Sequence, residues 1–162
     1  MSIAGSEDED LIQSLWKRDE CLDLDSVQFG NGNVMLLDIP SRIPTATDGI
    51  QIRQRQWVDM RDAVKLPGVT LNVGLSASGG SPIIIAEKGL CVTCGECAVY
   101  GTFGFVAVSR CSDNHLEWLA FFLLSNPFVA IAVNDETIVA TTNLGAKYAF
   151  PIREPEKVQV VS

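Results

Sequence analysis

The chain has 162 residues, 47% apolar and 20% charged, a globular balance that excludes a largely disordered protein. Its 12 basic and 20 acidic residues give a formal net charge of −8, which excludes nucleic acid as a direct partner because the phosphate backbone would be repelled. No apolar run reaches the roughly 20 residues a membrane-spanning helix needs. The densest stretch, 116–133, is broken by Glu117, Ser125, Asn126 and Pro127.

In chain order, residues 1–7 are expected to be disordered. Residues 8–22 read as an amphipathic helix, with Leu11, Ile12, Leu15 and Trp16 on one face. Acids in its first turn suit the helix dipole. Gly30, Asn31 and Gly32 mark a turn, and Asn33 to Ile39 a short buried strand. A second helix is expected over 48–65, where Trp57, Met60, Ala63 and Val64 cluster, with Pro67 and Gly68 as its stop. The period then becomes two: Leu71, Val73, Leu75 and Ala77 alternate with polar or small residues, the pattern of a half-buried strand. Ser78 to Ser81 is a turn and 82–88 a further strand.

Two strands are expected over 96–100 and 102–109. Asn114 and Glu117 form a capping-box pattern that would open a third helix running to Leu124, apolar almost all round and therefore buried. Three strands close the fold, over 128–133, 137–142 and 147–152, and 153–162 is a polar tail or edge strand. The expected architecture is a single α+β domain over 8–152, a mainly antiparallel sheet of about six to eight strands with two or three helices.

The segment GLCVTCGECAVYGTFGFVAVSRCSDNH, 89–115, holds four of the five cysteines and the only histidine. Two readings compete. In one, the cysteines are small apolar strand residues, with Cys91 and Thr93 on one face and Val92 and Cys94 on the other. In the other, Cys91, Cys94, Cys111 and His115 ligate zinc with the spacing C-x2-C-x16-C-x3-H, and Cys97 is a substitute ligand. A knuckle, a strand pair and a helix in that order resemble the treble-clef type of zinc finger, and the resemblance implies a structural zinc. A third pattern, Cys91, Cys94 and Cys97 with a remote Cys111, begins like an iron–sulfur run, but Ala98, Val99 and Tyr100 stand where a fourth cysteine and its proline belong. A nucleophilic cysteine would have to use His115 as its base.

Charge is uneven. Residues 1–25 hold eight acids (Glu7, Asp8, Glu9, Asp10, Asp19, Glu20, Asp23, Asp25) against Lys17 and Arg18, a net of −6 of the total −8. The carboxylate pairs Asp8/Asp10 and Asp23/Asp25 fall in polar stretches expected to be exposed, without the apolar pocket that raises a pKa for acid–base work. Arg53, Arg55, Arg61 and Lys65, interrupted by Asp59 and Asp62, read as a solvated helix face.

The functional expectation is a non-enzymatic acidic protein that binds a basic protein partner through Asp8, Glu9, Asp10, Asp23 and Asp25, without a cofactor. In type the chain is similar to immunity proteins, small acidic α+β proteins that block the cationic active site of a toxin. The alternatives are the zinc-stabilised module and a thiol-dependent enzyme. The acidic N-terminus lacks a basic and an apolar signal region, so a cytoplasmic protein with reduced thiols is expected.

Overall fold

A computed structural model describes residues 3–40, 44–46, 51–98 and 101–161. Helix α1 (Ser6–Lys17) leads into β1 (Glu20–Leu22), β2 (Ser26–Phe29), β3 (Asn33–Asp38) and β4 (Arg53–Asp59). A single turn, α2 (Met60–Ala63), is followed by β5 (Leu71–Val73), β6 (Leu75–Ser76), β7 (Ile83–Ile85), β8 (Leu90–Cys97), β9 (Gly104–Arg110) and β10 (Leu116–Phe122). A meander closes the chain: β11 (Phe128–Asn134), β12 (Thr137–Thr142), β13 (Lys147–Pro151) and β14 (Gln159–Val161). The structure is α+β and mostly antiparallel sheet, with more strands than expected.

The strands form three sheets. The central one has eight strands in the order β4-β3-β2-β10-β9-β8-β6, with β7 also paired to β8. One face is covered by the four-stranded sheet β11-β12-β13-β14, the other by α1, α2 and the two-stranded ribbon β1-β5. Side chains alternate along each strand, so each central strand feeds both layers. Trp118, Ala120 and Phe122 of β10 join the core under the four-stranded sheet, where Phe122, Phe128 and Tyr148 rings pack at 5.1–6.0 Å. Leu116, Leu119 and Phe121 of the same strand join Ile12, Leu15, Leu22 and Met60 in the core under the helices.

This double burial corrects the helix expected from Asn114 to Leu124. HLEWLAFFLL is apolar all round because it is a central strand covered on both faces, a pattern a buried helix shares. The helix expected over 48–65 is corrected too. Residues 47–50 lie outside the described residues, 53–59 are the edge strand β4, and only 60–63 are helical. Arg53 to Trp57 are exposed on both faces of that edge, so no alternation marks the strand. At the other end of the chain, α1 begins at Ser6, ahead of the expected Asp8, and Ile3 and Ala4 donate backbone hydrogen bonds to Asn33 Oδ1.

Two glutamines attach the second layer to the sheet. Gln28, fully buried on β2, donates to Leu22 O at 2.8 Å and accepts from Leu22 N at 3.1 Å, tying the ribbon down. Gln13 on α1 does the same for the β9–β10 hairpin. It accepts from Leu116 N at 2.9 Å and donates to Leu116 O and Gly30 O. Each amide satisfies backbone groups that a ladder would otherwise have to pair.

Candidate functional site: the Asp25 cleft

The cysteine segment is a strand, not a knuckle. β8 runs unbroken from Leu90 to Cys97 and pairs with β9 from Leu90↔Arg110 to Glu96↔Gly104. Three residues apart on one strand, Cys91 and Cys94 project to opposite faces. Cys94, 2% exposed, joins Val92 in the core under the four-stranded sheet, its thiol within 3.6 Å of Phe128 O and 3.8 Å of Gly79 O. Burial pushes that thiol up to about 12, so it behaves as a small apolar group. Gly79 must be glycine here, because a Cβ would overlap Cys94 Sγ.

The remaining thiols fall into two pairs, Cys91 with Cys111 and Cys97 with Cys21. Cys91 is half-buried on the opposite face, its thiol raised by burial and then by the neighbouring Cys111, which is exposed. Cys97 is buried at the far end of β8, and with Asp23 it adds to the burial that raises the thiol of Cys21. His115 precedes β10 and places Nε2 4.0 Å from Glu9 Oε2. The proposed ligands Cys91, Cys94, Cys111 and His115 therefore do not converge. Among the described residues no group of three or more His, Cys, Asp or Glu side chains comes together as a metal site.

The acidic segment also departs from its expectation. Asp8 is 0% exposed. Its Oδ2 accepts from Gly5 N at 2.8 Å, and its Oδ1 accepts from Arg61 N and Arg61 Nε, both at 3.0 Å. Burial disfavours the carboxylate, but these hydrogen bonds and the guanidinium charge outweigh it and hold Asp8 below its ordinary value. It pins α1 to α2 and cannot face a partner. Glu9 and Asp10 are exposed, as expected.

Asp23 and Asp25 follow β1, where the ribbon leaves the sheet. Asp23 is used inside the protein: Oδ1 accepts from Thr70 N and Oδ2 from Thr70 Oγ1, both at 2.6 Å, while Asp23 N donates to Thr70 O at 3.1 Å. Asp25 is the exception. It lines a cleft of about 230 Å³ together with Asp23, Leu36, Arg55, Val69 and Leu123. Its Oδ1 accepts from Leu123 N at 2.8 Å, and its backbone carbonyl accepts from Leu37 N. Burial pushes the Asp25 carboxyl up and the Leu123 bond offsets this only in part. Its charge in turn adds to the burial that raises the Tyr148 phenol.

The expectation of a solvated Asp25 without an apolar pocket is thus corrected. No described cation pairs with Asp25; Arg55, at the cleft wall, lies 3.9 Å from Asp38. Sequence reasoning missed Val69 and Leu123, which wall the cleft, and Thr70, which holds Asp23 from 47 residues away, while Leu123 reaches Asp25 from 98 residues away. No local period marks such residues.

Comparisons with protein-family models, with curated proteins and with solved structures return no match for this chain.

Proposed function

We propose that the protein is a non-catalytic binding protein for a basic protein partner, of the inhibitor or immunity type, and that the Asp25 cleft seats a cationic side chain of that partner. The observation that supports this reading is a carboxylate held in a cleft, raised by burial, and ion-paired with no described cation, Arg55 at the cleft wall lying 3.9 Å from Asp38 instead. A half-buried charge without a partner destabilises the fold, and such groups concentrate at functional sites. A guanidinium or ammonium entering the cleft supplies the missing charge.

Size and field agree with this. At about 230 Å³ the cleft is below the roughly 300–1,000 Å³ of small-molecule sites, so it suits one side chain of a larger partner. The net charge of −8, with Glu9 and Asp10 outward on α1, favours encounter with a basic surface.

Deleting residues 1–25 does not test this, because Ile12, Leu15 and Leu22 leave the core with them. A point variant does. Asp25→Asn keeps an acceptor for Leu123 N–H and removes the charge. The peptide Ac-Gly-Arg-Gly-NH2 is expected to shift the Leu123 amide resonance, less so at high salt and not at all in Asp25→Asn. Equal binding by the variant sinks the reading.

A further inference from the structure

We infer that the segment recognised at Asp25 carries an apolar side chain beside its cationic one, and that this side chain seats in the groove on the other side of Val69. The inference rests on the reading of the Asp25 cleft above. The groove encloses about 380 Å³ and is walled by Leu11 of α1, Leu22 of β1, Val64 after α2, and Val69, Thr70 and Leu71 at the ribbon. Only Thr70 is polar among them, and Leu71 is left 46% exposed. Leu71, left open to solvent here, gains from burial against an apolar side chain of a partner.

Val69 walls both the groove and the cleft, so the two openings are neighbours on one surface. The partition between them is fixed. Gly68 takes φ +78 beside Pro67, Val69 N donates to Leu66 O at 3.2 Å, and Thr70 is held by three hydrogen bonds to Asp23. Both Asp23 carboxylate oxygens are spent on this clasp, which makes Asp23 a positioning residue and leaves Asp25 to meet the ligand.

Charge selects the occupant. Asp10 and Glu7 flank Leu11 on α1, and Asp10 has no ion pair among the described residues, while Glu7 meets Arg61 at 3.3 Å. A second copy of this chain would bring the same acids against them, and like charges across an interface cost affinity. A basic segment with an apolar anchor is attracted at the rim and buries its anchor in the groove.

The test uses the full chain and four peptides: Ac-Arg-Gly-Leu-NH2, its reverse Ac-Leu-Gly-Arg-NH2, Ac-Arg-Gly-Gly-NH2 and Ac-Gly-Gly-Leu-NH2. Binding is followed at the amide resonances of Thr70, Leu71 and Leu123. One of the two mixed peptides is expected to bind about tenfold tighter than Ac-Arg-Gly-Gly-NH2, the gain from burying a leucine, and to shift all three amides. Leu71→Ser, at a position 46% exposed, should erase the tenfold gain and leave Ac-Arg-Gly-Gly-NH2 unaffected. If neither mixed peptide gains while the arginine peptide still requires Asp25, the groove inference is overturned and the cleft reading stands. If the tighter mixed peptide binds Asp25→Asn as tightly as wild type, the cleft reading fails and the linked recognition fails with it. Dilution-dependent shifts at Leu71 without peptide put a second copy in the groove and overturn the inference.

Discussion

Segment 89–115 carries the residue types of a metal site, and segment 6–25 carries the residue types of a solvated acidic face. In each, the fold distributes those residues differently from what their spacing suggests. In the first, strand pairing separates the ligands: Cys94 points into one core and Cys91 to the opposite face. In the second, burial sorts the acids: Asp8 is sealed under three hydrogen bonds, Asp23 is spent on Thr70, and Asp25 lines a cleft without an ion pair among the described residues. Sequence spacing proposes a set of groups. The period of the element that carries them decides which ones meet.

The sharpest way to break this contrast is Gly95→Ala. In strand β8 a Cβ there would overlap Ser76 O of the neighbouring strand, with Ser78 N at 2.8 Å. A loss of about 3 kcal/mol in denaturant unfolding is expected, the upper part of the overpacking range. An unchanged midpoint would argue against the strand register.

Next in size is Asp8→Ala. It strips acceptors from Gly5 N and Arg61 N and from the guanidinium, and is expected to cost about 2–3 kcal/mol. The wild-type contribution has a pH signature. Because the folded Asp8 value is lowered, its stabilisation is present above the unfolded carboxylate value and is lost as pH falls through the folded one. The gap between wild type and Asp8→Ala should therefore shrink in acid.

Asp25→Asn should act with the opposite sign. Its folded value is raised, so the ionised carboxylate is a burden at neutral pH that vanishes below the unfolded value. Asp25→Asn is expected to melt above wild type at pH 7, with the advantage fading as pH drops toward the carboxylate range. A variant that melts lower at pH 7 would make Asp25 a structural group.

The smallest expected effect is that of metal removal. With Cys94 buried on the face opposite Cys91, and no three of Cys91, Cys94, Cys111 and His115 together among the described residues, a chelator should leave the melting temperature unchanged, and elemental analysis should find less than one zinc per chain. Thiol alkylation of the folded protein should reach Cys111 and Cys91 and spare Cys94 and Cys21, as their burial and raised thiols require. Stoichiometric zinc would restore the ligand set.

The strands that alternate or end in clear turns were legible before the structure: β3 within 33–39, and β11, β12 and β13 nearly to the residue. What misled was burial on both faces or on neither. HLEWLAFFLL has no polar face because two layers cover β10, and RQRQWVD has no apolar face because β4 is an edge. The site was half legible. The acids of the N-terminal segment drew attention to Asp25, but its depth comes from Leu123, Arg55 and Val69, contacts made only by the tertiary fold. Asp8 was misplaced for the same reason, since its partner Arg61 lies 53 residues on.

The most direct test of the central claim is the pH titration of the Asp25 side-chain carboxyl carbon by nuclear magnetic resonance, with and without Ac-Gly-Arg-Gly-NH2. A cation seated in the cleft stabilises the carboxylate, so the account predicts a raised titration midpoint in the unliganded protein that falls when the peptide binds. An Asp25 midpoint that stays where it is at saturating peptide would contradict it.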